Sequence, residues 1–393
     1  MLSTTQIYVL RRRLAAGESV DQIDGFTLSS KRGIPTDWGR IVSSEAPMEV
    51  VFTPPEFVLG EPEDPSCLDD VREPARLRVP AKTVRLFRDV RIVGWRSLLS
   101  GDGFYSTRRG FREEEGNLDA WSGGIYDGFA VKDGSLVHVA GDEDRRSIAG
   151  NTLFLSGVEM GNYGSFVFRM LPKLLYFREQ GIGVDQIVVP TRTPAIADAI
   201  AMAGLEGVPL YAVRESLALQ FESVYVVDDF DIKGGMCEAT MSRIRALSAD
   251  GAESGSIFVS RRLNAHNPTY RPLANAAEIE RAAERMGFRV VFPESLRFDQ
   301  QIALFGGADT IVGPSGSGML NALFSRPGSK ILDVESFHGT VRQHARIYSS
   351  AGHRYGFAFG KFDPADRREP KFIRRWQASP AMIVEGIERL WSC

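Results

Sequence analysis

Cysteine is scarce in this sequence. Its 393 residues include three cysteines, Cys67, Cys237 and Cys393, which lie far apart. That number and spacing make neither a disulfide framework nor a zinc site, and they are typical of a reducing compartment. A short apolar stretch precedes the three arginines at 11–13, the wrong order for a signal peptide. No window reaches the roughly 18 apolar residues of a membrane span. We expect a cytoplasmic protein, with attachment to the inner face of the membrane left open.

An excess of one charge is also missing. The chain has 47 basic and 50 acidic residues, a formal charge of −3, so nothing in the overall charge attracts nucleic acid. Segments 85–96 and 106–116 place arginines beside aromatic residues, as RNA-binding surfaces do. Acidic residues alternate with them, which favours a solvated β surface or a groove for an acidic acceptor. We predict no nucleic-acid partner.

The length and the pattern of apolar runs indicate two domains. A chain of 393 residues is too long for one ordinary core. Residues 1–80 are irregular and proline-rich, and 81–230 hold a β-rich part followed by alternating strands and helices. Residues 231–367 repeat that alternation, with a junction near Asp229-Phe230, and 368–393 read as a helix crossing back over the first domain. The strands are short, β-branched and apolar on both faces, which predicts parallel sheets covered by helices. The expected fold is α/β, with two Rossmann-like domains facing a cleft and an N-terminal β-rich extension.

A glycine-rich turn lies between a strand and a helix in the second half. The stretch VGPSGSGMLNALF, residues 312–324, ends an apolar run and resumes at helical spacing near Ser317. Open α/β sheets bind ligands at the carboxyl ends of their strands, where a helix N-terminus offers N–H groups to phosphate. Gly316, Ser317 and Gly318 are therefore candidate phosphate-binding residues, and a tight turn without a ligand is the alternative. The loop lacks the lysine of a P-loop.

Two further elements end at the same predicted sheet edge. Arg261 and Arg262 follow the strand SIFVS, and an arginine fork can hold a diphosphate bidentately. Glu335 ends the strand KILDVE and could accept hydrogen bonds from ribose hydroxyls. Solvated arginines and an exposed carboxylate are the alternatives. Together with the glycine loop, these residues favour an anionic ligand in the second domain.

The stretch that contains these residues resembles glycosyltransferase family 61. The resemblance covers about residues 150–340 and rests on an ordered set of short elements. The elements are Ser260-Arg261-Arg262, Gly287-Phe288, Pro293-Glu294, Gln301-Ile302, Gly313-Pro314-Ser315-Gly316-Ser317-Gly318, Asn321, Phe324, Pro327-Gly328 and Glu335. No single element is specific, but their order and spacing are.

The resemblance implies a two-domain GT-B-like fold and the inverting transfer of a sugar from a nucleotide sugar, without a required metal. A UDP-sugar is the favoured donor, and the acceptor would be a glycan or glycolipid in bacterial capsular or exopolysaccharide biosynthesis. The implied donor-binding residues are Arg261, Arg262, Ser315, Gly316, Ser317, Gly318, Asn321 and Glu335. The acidic cluster of Asp228, Asp229 and Asp231 is interpreted as an interdomain linker, with a Mg²⁺ site as the alternative.

The chain departs from the family pattern where a catalytic base is expected. In GNYGSFVFRMLP, Asn162 and Tyr163 match, but Ser165 stands in place of a histidine and Arg169 in place of an acid. Ser315 likewise stands in place of a second histidine. The residues assigned to the acceptor side are Asn162, Tyr163, Ser165 and Arg169, whereas Ser315 belongs to the donor-binding set. An inverting transfer needs a base for the acceptor hydroxyl, and neither a serine nor an arginine serves alone.

Three carboxylates are candidates for that base. Glu159 precedes Asn162 on a loop, and Asp102 and Asp127 lie in glycine-flanked turns. Ordinary turn carboxylates are the alternative for each. Two other functions compete. A catalytically silent family member would bind a nucleotide sugar or glycan as a partner or regulator. A dinucleotide-dependent enzyme is disfavoured, because no Gly-x-Gly-x-x-Gly follows the first strand of either half.

Overall fold

The chain forms a mixed α/β protein, for which we use a computed structural model. The structure describes residues 27–32, 39–79, 81–95, 97–99, 104–106, 129–132, 135–140, 146–157, 161–216, 219–228, 235–248, 255–266, 271–336, 340–369 and 373–392. By contacts between Cα atoms these residues divide into two compact units. The first holds Met1–Ala46 and Pro80–Phe230, and the second holds Pro47–Val79 and Asp231–Cys393.

Strands make up much of the regular structure. In chain order they are β1 (Thr27–Arg32), β2 (Arg40–Glu45), β3 (Met48–Phe52), β4 (Phe57–Leu59), β5 (Ala75–Val79), β6 (Lys82–Gly94), β7 (Ser97–Leu99), β8 (Phe104–Ser106), β9 (Phe129–Lys132), β10 (Ser135–Ala140), β11 (Arg146–Phe154), β12 (Gln186–Val189), β13 (Leu210–Ala212), β14 (Leu219–Val227), β15 (Gly255–Val259), β16 (Arg289–Val291), β17 (Ala308–Pro314), β18 (Lys330–Glu335), β19 (Arg354–Phe359), β20 (Lys361–Phe362) and β21 (Trp376–Gln377).

The helices are α1 (Leu171–Glu179), α2 (Pro194–Met202), α3 (Val213–Ser216), α4 (Glu238–Arg245), α5 (Ala276–Arg285), α6 (Phe298–Gly306), α7 (Val341–Ser350) and α8 (Pro380–Ser392). A helical turn (Tyr163–Ser165) and a π-helical turn (Phe166–Met170) lead into α1. Short 3₁₀ helices span Pro65–Leu68, Arg262–His266, Pro293–Ser295, Ser317–Phe324 and Pro364–Asp366. No helix in the described part of the chain has both the length and the apolar character needed to cross a membrane.

The first unit is built on one mixed sheet. Its strand order is β13-β12-β11-β14-β6-β7-β8, with β2 also pairing with β6. The four strands β13, β12, β11 and β14 run parallel, and β6 joins β14 antiparallel. The core lies where β6, β11 and β14 bring Phe87, Phe154 and Phe221 together. A smaller antiparallel sheet holds β1, β10 and β9.

The second unit is built on a parallel sheet of six strands. The order is β16-β15-β17-β18-β19-β4, and every neighbouring pair is parallel. Leu332 and Val334 of β18 belong to the cluster that packs against α5 and α8. The side chains of Asp333 and Glu335 lie on the opposite face, because side chains alternate along a strand. The strand and helix alternation predicted for this half is therefore confirmed.

Two expectations about the ends of the chain are wrong. Residues 1–80 are predicted to be irregular, yet β1 to β5 lie there, and β4 completes the parallel sheet beside β19. The C-terminal helix is expected to cross back over the first domain, but Ile383, Ile387 and Leu390 of α8 pack into the second unit's own core. Helical spacing puts these three side chains on one face of α8.

His353, which immediately precedes β19, makes the stability of this unit pH-dependent. Its ring is buried and donates from Nε2 to the Ala322 carbonyl, 2.8 Å away. Burial is the main cause that lowers its pKa from 6.5 to about 4. Between these values the unfolded chain binds a proton that the native protein does not. The contribution of His353 to the free energy of unfolding is thus fully present above pH 6.5 and is lost as the pH falls towards 4. The loss is at most about 3 kcal/mol.

We expect His353→Gln to remove this pH-dependent part, because a glutamine amide can still donate to the carbonyl without taking up a proton. Urea unfolding of wild type and variant at several pH values from neutral to mildly acidic measures the effect. Parallel pH profiles for the two proteins would contradict this assignment.

Candidate functional site

The predicted donor residues lie at the switch point of the parallel sheet. From β15 the chain moves outward to β16, then returns past β15 to β17 and continues to β18 and β19. Such a reversal leaves a crevice outside the carboxyl ends of the two central strands, here β15 and β17, where open α/β sheets bind their ligands. Arg261 follows β15, and Ser315 and Gly316 follow β17.

Two arginines converge on one carbonyl oxygen at this edge. The Ser315 carbonyl accepts from Arg261 Nη1 at 2.7 Å and from Arg271 Nη2 at 3.0 Å. Arg271 is 8% exposed, and Arg261 is partly buried. The site thus concentrates two guanidinium groups beside the glycine loop, where they would favour an anion.

Gly316 has to be a glycine. Its φ of 153° and ψ of −174° lie in a region that essentially only glycine adopts. A Cβ atom there would lie 3.0 Å from Cζ and Nη1 of Arg261. The 3₁₀ helix Ser317–Phe324 begins at the next residue, and the first N–H groups of a helix have no partner within it. The loop therefore brings bare backbone against the Arg261 guanidinium.

Arg262 does not join Arg261 in a single fork. Its Nη2 lies 3.1 Å from Glu280 Oε2, and its side chain is 56% exposed. Its guanidinium also lies over the Phe292 ring, 5.8 Å from the centroid. Ser260 donates to the other oxygen of Glu280 at 2.6 Å. The expected pair of diphosphate-binding arginines is therefore divided, and the second cation beside the loop is Arg271.

Glu335 is a buried ion-pair partner in this structure. Its side chain is fully buried, and Oε1 accepts from Arg271 Nη1 at 3.2 Å and from the Ser336 amide at 2.9 Å. Oε2 accepts from the Thr340 hydroxyl. The contact expected with a ribose is therefore not available to this carboxylate as it stands.

The thiol of Cys67 stays protonated near neutral pH. Burial is the main cause that raises its pKa to about 11, and the charge of Glu335 is the next.

Asn321 and Gly318 support the loop from behind. Asn321 is fully buried and donates to Gln301 Oε1 of α6 at 2.9 Å. A Cβ atom on Gly318 would lie 3.3 Å from Val259 Cγ1, so this glycine lets the 3₁₀ helix approach β15. Ser317 is only partly buried. Of the predicted donor residues, the structure gathers Arg261, Ser315, Gly316 and Ser317 at the crevice and gives Asn321 a packing role.

Several residues around the loop are not predicted from the sequence. Arg271 stands alone in TYRPL, and nothing in its neighbours marks it. Asp333, Thr340, His344 and Tyr348 form hydrogen bonds directly behind Ser315. One signal could have found part of this set: Asp333 and Glu335 are two residues apart on a buried strand, so both carboxylates share a face and need partners there.

The residues predicted to line the acceptor side lie at the start of the helix that follows β11. Asn162 caps the first turn, its Oδ1 accepting from the Ser165 amide at 3.0 Å. The Tyr163 and Phe166 rings are 6.4 Å apart, Ser165 is 1% exposed, and the Arg169 guanidinium lies over the Phe168 ring at 4.4 Å. π-Helical turns of this kind are frequent at functional sites.

A buried lysine, Lys173, follows these residues in α1. Lys173 Nζ donates to the Ser156 Oγ at 2.9 Å and to the Ser156 carbonyl at 3.2 Å. Ser156 follows β11 at the carboxyl edge of the parallel strands, and both side chains are buried. Nothing in the sequence marks this pair.

The sequence predicts three carboxylates as candidate bases and one acidic cluster. Glu159, Asp102 and Asp127 lie outside the described residues, as do Asp229 and Asp231. Asp228 is engaged within the first unit, where Oδ2 accepts from the Thr83 hydroxyl and from Arg85 Nε at 2.8 Å. Within the ranges that the structure describes, no three His, Cys, Asp or Glu side chains are grouped to hold a metal ion.

Comparison with known proteins agrees with the resemblance read from the sequence. No curated protein matches the chain. A family model does match: it covers residues 163–332, from the turn before α1 into β18, and so includes Arg261, Arg271 and the glycine loop. Over these residues the chain is similar to the family described as Glycosyltransferase 61.

Proposed function

We propose that this protein is an inverting glycosyltransferase that moves a sugar from a nucleotide sugar to a glycan or glycolipid acceptor. The convergence of Arg261 and Arg271 on the Ser315 carbonyl, beside Gly316, carries this proposal. The same residues fall within the segment similar to Glycosyltransferase 61. A UDP-sugar is the favoured donor, and bacterial capsular or exopolysaccharide biosynthesis is the favoured context.

The two units would work as a GT-B-like pair, with the donor on the second unit and the acceptor on the first. The acceptor hydroxyl oxygen attacks the anomeric carbon of the sugar while a base removes its proton. The bond from that carbon to the diphosphate oxygen breaks, and the nucleoside diphosphate leaves with the electron pair. Cations and N–H groups aimed at the leaving oxygen lower the barrier, because negative charge develops there in the transition state.

The leaving diphosphate would be stabilised without a metal ion. Arg261 and Arg271 supply two permanent positive charges, since a guanidinium stays protonated at any working pH. The N–H groups at the start of the 3₁₀ helix Ser317–Phe324 add hydrogen bonds directed at the same place. Arg262 would not contact the diphosphate directly, because its guanidinium pairs with Glu280.

Asn162, Tyr163, Ser165 and Arg169 would lie on the acceptor side, and Glu159, Asp102 and Asp127 remain the proposed bases. Asn162 and Ser165 shape the first turn there, whereas Tyr163 and Arg169 offer a ring and a cation. The reaction would take place in the cytoplasm, at the inner face of the membrane if the acceptor is a glycolipid.

Thermal unfolding in the presence of EDTA tests the donor site. The purified protein is titrated with UDP, GDP, CDP, CMP and ADP, and one diphosphate is expected to stabilise it. A ligand at a hundred times its Kd adds about 2.7 kcal/mol, a shift of a few degrees in Tm. If none of the diphosphates raises Tm, the proposal is contradicted.

Turnover separates the enzyme from a silent family member. The nucleotide sugar is chosen to carry the same nucleobase as the diphosphate that stabilises the protein. It is incubated with the protein and with glycan acceptors, and the released nucleoside diphosphate is measured. Binding with release above the no-enzyme control supports the transferase. Binding without release under any acceptor would favour a nucleotide-sugar-binding partner or regulator, a reading motivated by Ser165 and Arg169 at the family's His and acid positions.

A further inference from the structure

We infer that the Ser315 side chain and His344 are positioning residues, which hold the Ser315 carbonyl where it gathers Arg261 and Arg271. This inference rests on the proposed function and concerns the same phosphate site. The residues behind Ser315 form a largely buried network of Thr340, His344, Asp333 and Tyr348, which we call the support cluster. Ser315 and His344 are each 2% exposed, and Asp333 and Tyr348 are fully buried.

The loop needs such a support because Gly316 leaves it free to turn. Glycine adopts many backbone conformations at little cost, so the peptide unit between Ser315 and Gly316 is not held by Gly316. On its other side the Ser315 amide donates to the Val334 carbonyl at 2.8 Å. Two guanidinium groups that meet at one carbonyl also repel each other. The orientation of this carbonyl therefore depends on what holds the Ser315 side chain.

The donors and acceptors of the network can be assigned in one way. The Thr340 hydroxyl donates its single proton to Glu335 Oε2, so Ser315 Oγ, 3.1 Å away, donates to Thr340. Ser315 Oγ lies 3.3 Å from His344 Nδ1 and is the more distant of two acceptors that share its single proton. His344 Nδ1 also donates to Asp333 Oδ2 at 2.6 Å, and the Tyr348 hydroxyl donates to the same oxygen at 2.5 Å. Ser315 is thus tied to both carboxylates of β18.

This arrangement is not a hydrolytic triad. In a Ser-His-Asp triad the serine and the aspartate contact different nitrogens of the imidazole ring, so that a proton can cross it. Here Ser315 and Asp333 both contact Nδ1. Ser315 Oγ is moreover almost completely buried. The geometry fits a role in holding the loop and excludes nucleophilic attack by this serine.

The cost of the support cluster indicates that it has a purpose beyond packing. Asp333 Oδ1 is buried and has no hydrogen-bond partner among the described residues. A buried polar atom without a partner destabilises the native state, and native structures contain few of them. An apolar pair would fill the same space without this cost. The cluster instead holds the His344 ring through Asp333, so that Nδ1 lies against Ser315.

Four variants test the inference by isothermal titration with the nucleoside diphosphate that stabilises the wild type. Ser315→Ala and His344→Leu are each expected to raise Kd about tenfold, the effect of one buried hydrogen bond. His344→Asn is expected to recover most of the affinity, because its side-chain amide can donate from the position of Nδ1. Ser325→Ala is the matched control: Ser325 is also buried, ends the same segment, and donates to the Phe305 carbonyl at 2.8 Å.

The outcomes are distinct. Ser325→Ala should lower the free energy of unfolding about as much as Ser315→Ala and leave Kd unchanged. The double variant Ser315→Ala/His344→Leu should bind no more weakly than either single variant, since both remove the same support. If the wild type binds the diphosphate and Ser315→Ala binds it with the same Kd, this inference is wrong and the proposed function is unaffected. Equal weakening by Ser325→Ala also overturns it, because the effect would then follow from stability. Failure of the wild type to bind any diphosphate overturns the proposed function and this inference with it.

Discussion

Replacing Arg261 with alanine is expected to weaken the binding of nucleoside diphosphate by about 100- to 1000-fold, the loss of two hydrogen bonds between charged groups. The Arg261 guanidinium lies against Gly316 and donates to the Ser315 carbonyl. Arg262, the next residue, cannot replace it, because its guanidinium is paired with Glu280. Titration calorimetry of wild type and variant measures the change.

Arg262→Ala is the matched control for that experiment. It removes the same side chain one residue further along the chain, and its pair with Glu280 is largely exposed on the arginine side. Exposed pairs contribute at most about 1 kcal/mol, so Kd should change by less than about fivefold. If both variants weaken binding equally, the arginines act as one fork, as the sequence suggested, and the division found in the structure does not describe the bound state.

Replacing Arg271 with methionine is expected to lower the free energy of unfolding by about 3–5 kcal/mol, because it leaves a buried carboxylate without its cation. Arg271 and Glu335 are 8% and 0% exposed, and their closest atoms are 3.2 Å apart. Urea unfolding measures the loss. The variant should also bind nucleoside diphosphate more weakly, since one of the two cations at the Ser315 carbonyl is gone.

A second substitution separates these two effects. In Arg271→Met/Glu335→Gln the unpaired charge is removed, while glutamine can still accept from the Ser336 amide and Thr340. Most of the stability should therefore return, but the affinity for diphosphate should not. If affinity returns together with stability, Arg271 supports the fold and does not contact the phosphate. If the single variant is as stable as wild type, the pair is not buried as described.

The order of strands and helices in the second half could be predicted from local pattern. β15, β17, β18 and β19 are short and largely apolar runs, and helical spacing marks α5 and α7 between them. The glycine loop and Arg261 could be assigned to one sheet edge, since the carboxyl ends of parallel strands meet there. The family resemblance was read from the order of the motifs, and the family match over residues 163–332 agrees with that resemblance.

Other features depended on partners far away in the chain. β4 has only three residues, and it becomes a strand because the edge of β19 is there to pair with it. Arg271 becomes a site residue because the Ser315 carbonyl and Glu335 meet it across more than 40 positions. Arg261 and Arg262 look equivalent in sequence, but one contacts the loop and the other contacts Glu280.

What the sequence by itself determined is the class of fold, the position of the glycine loop at a strand end and the presence of cations near it. These follow from periodicity and backbone freedom, which act over a few residues. Only the tertiary structure decided which arginines share the loop, that Glu335 is buried in an ion pair, and that His344 and Asp333 lie behind Ser315. The physical reason is that burial and charge compensation are set by contacts between strands and helices, and a linear sequence does not contain those distances.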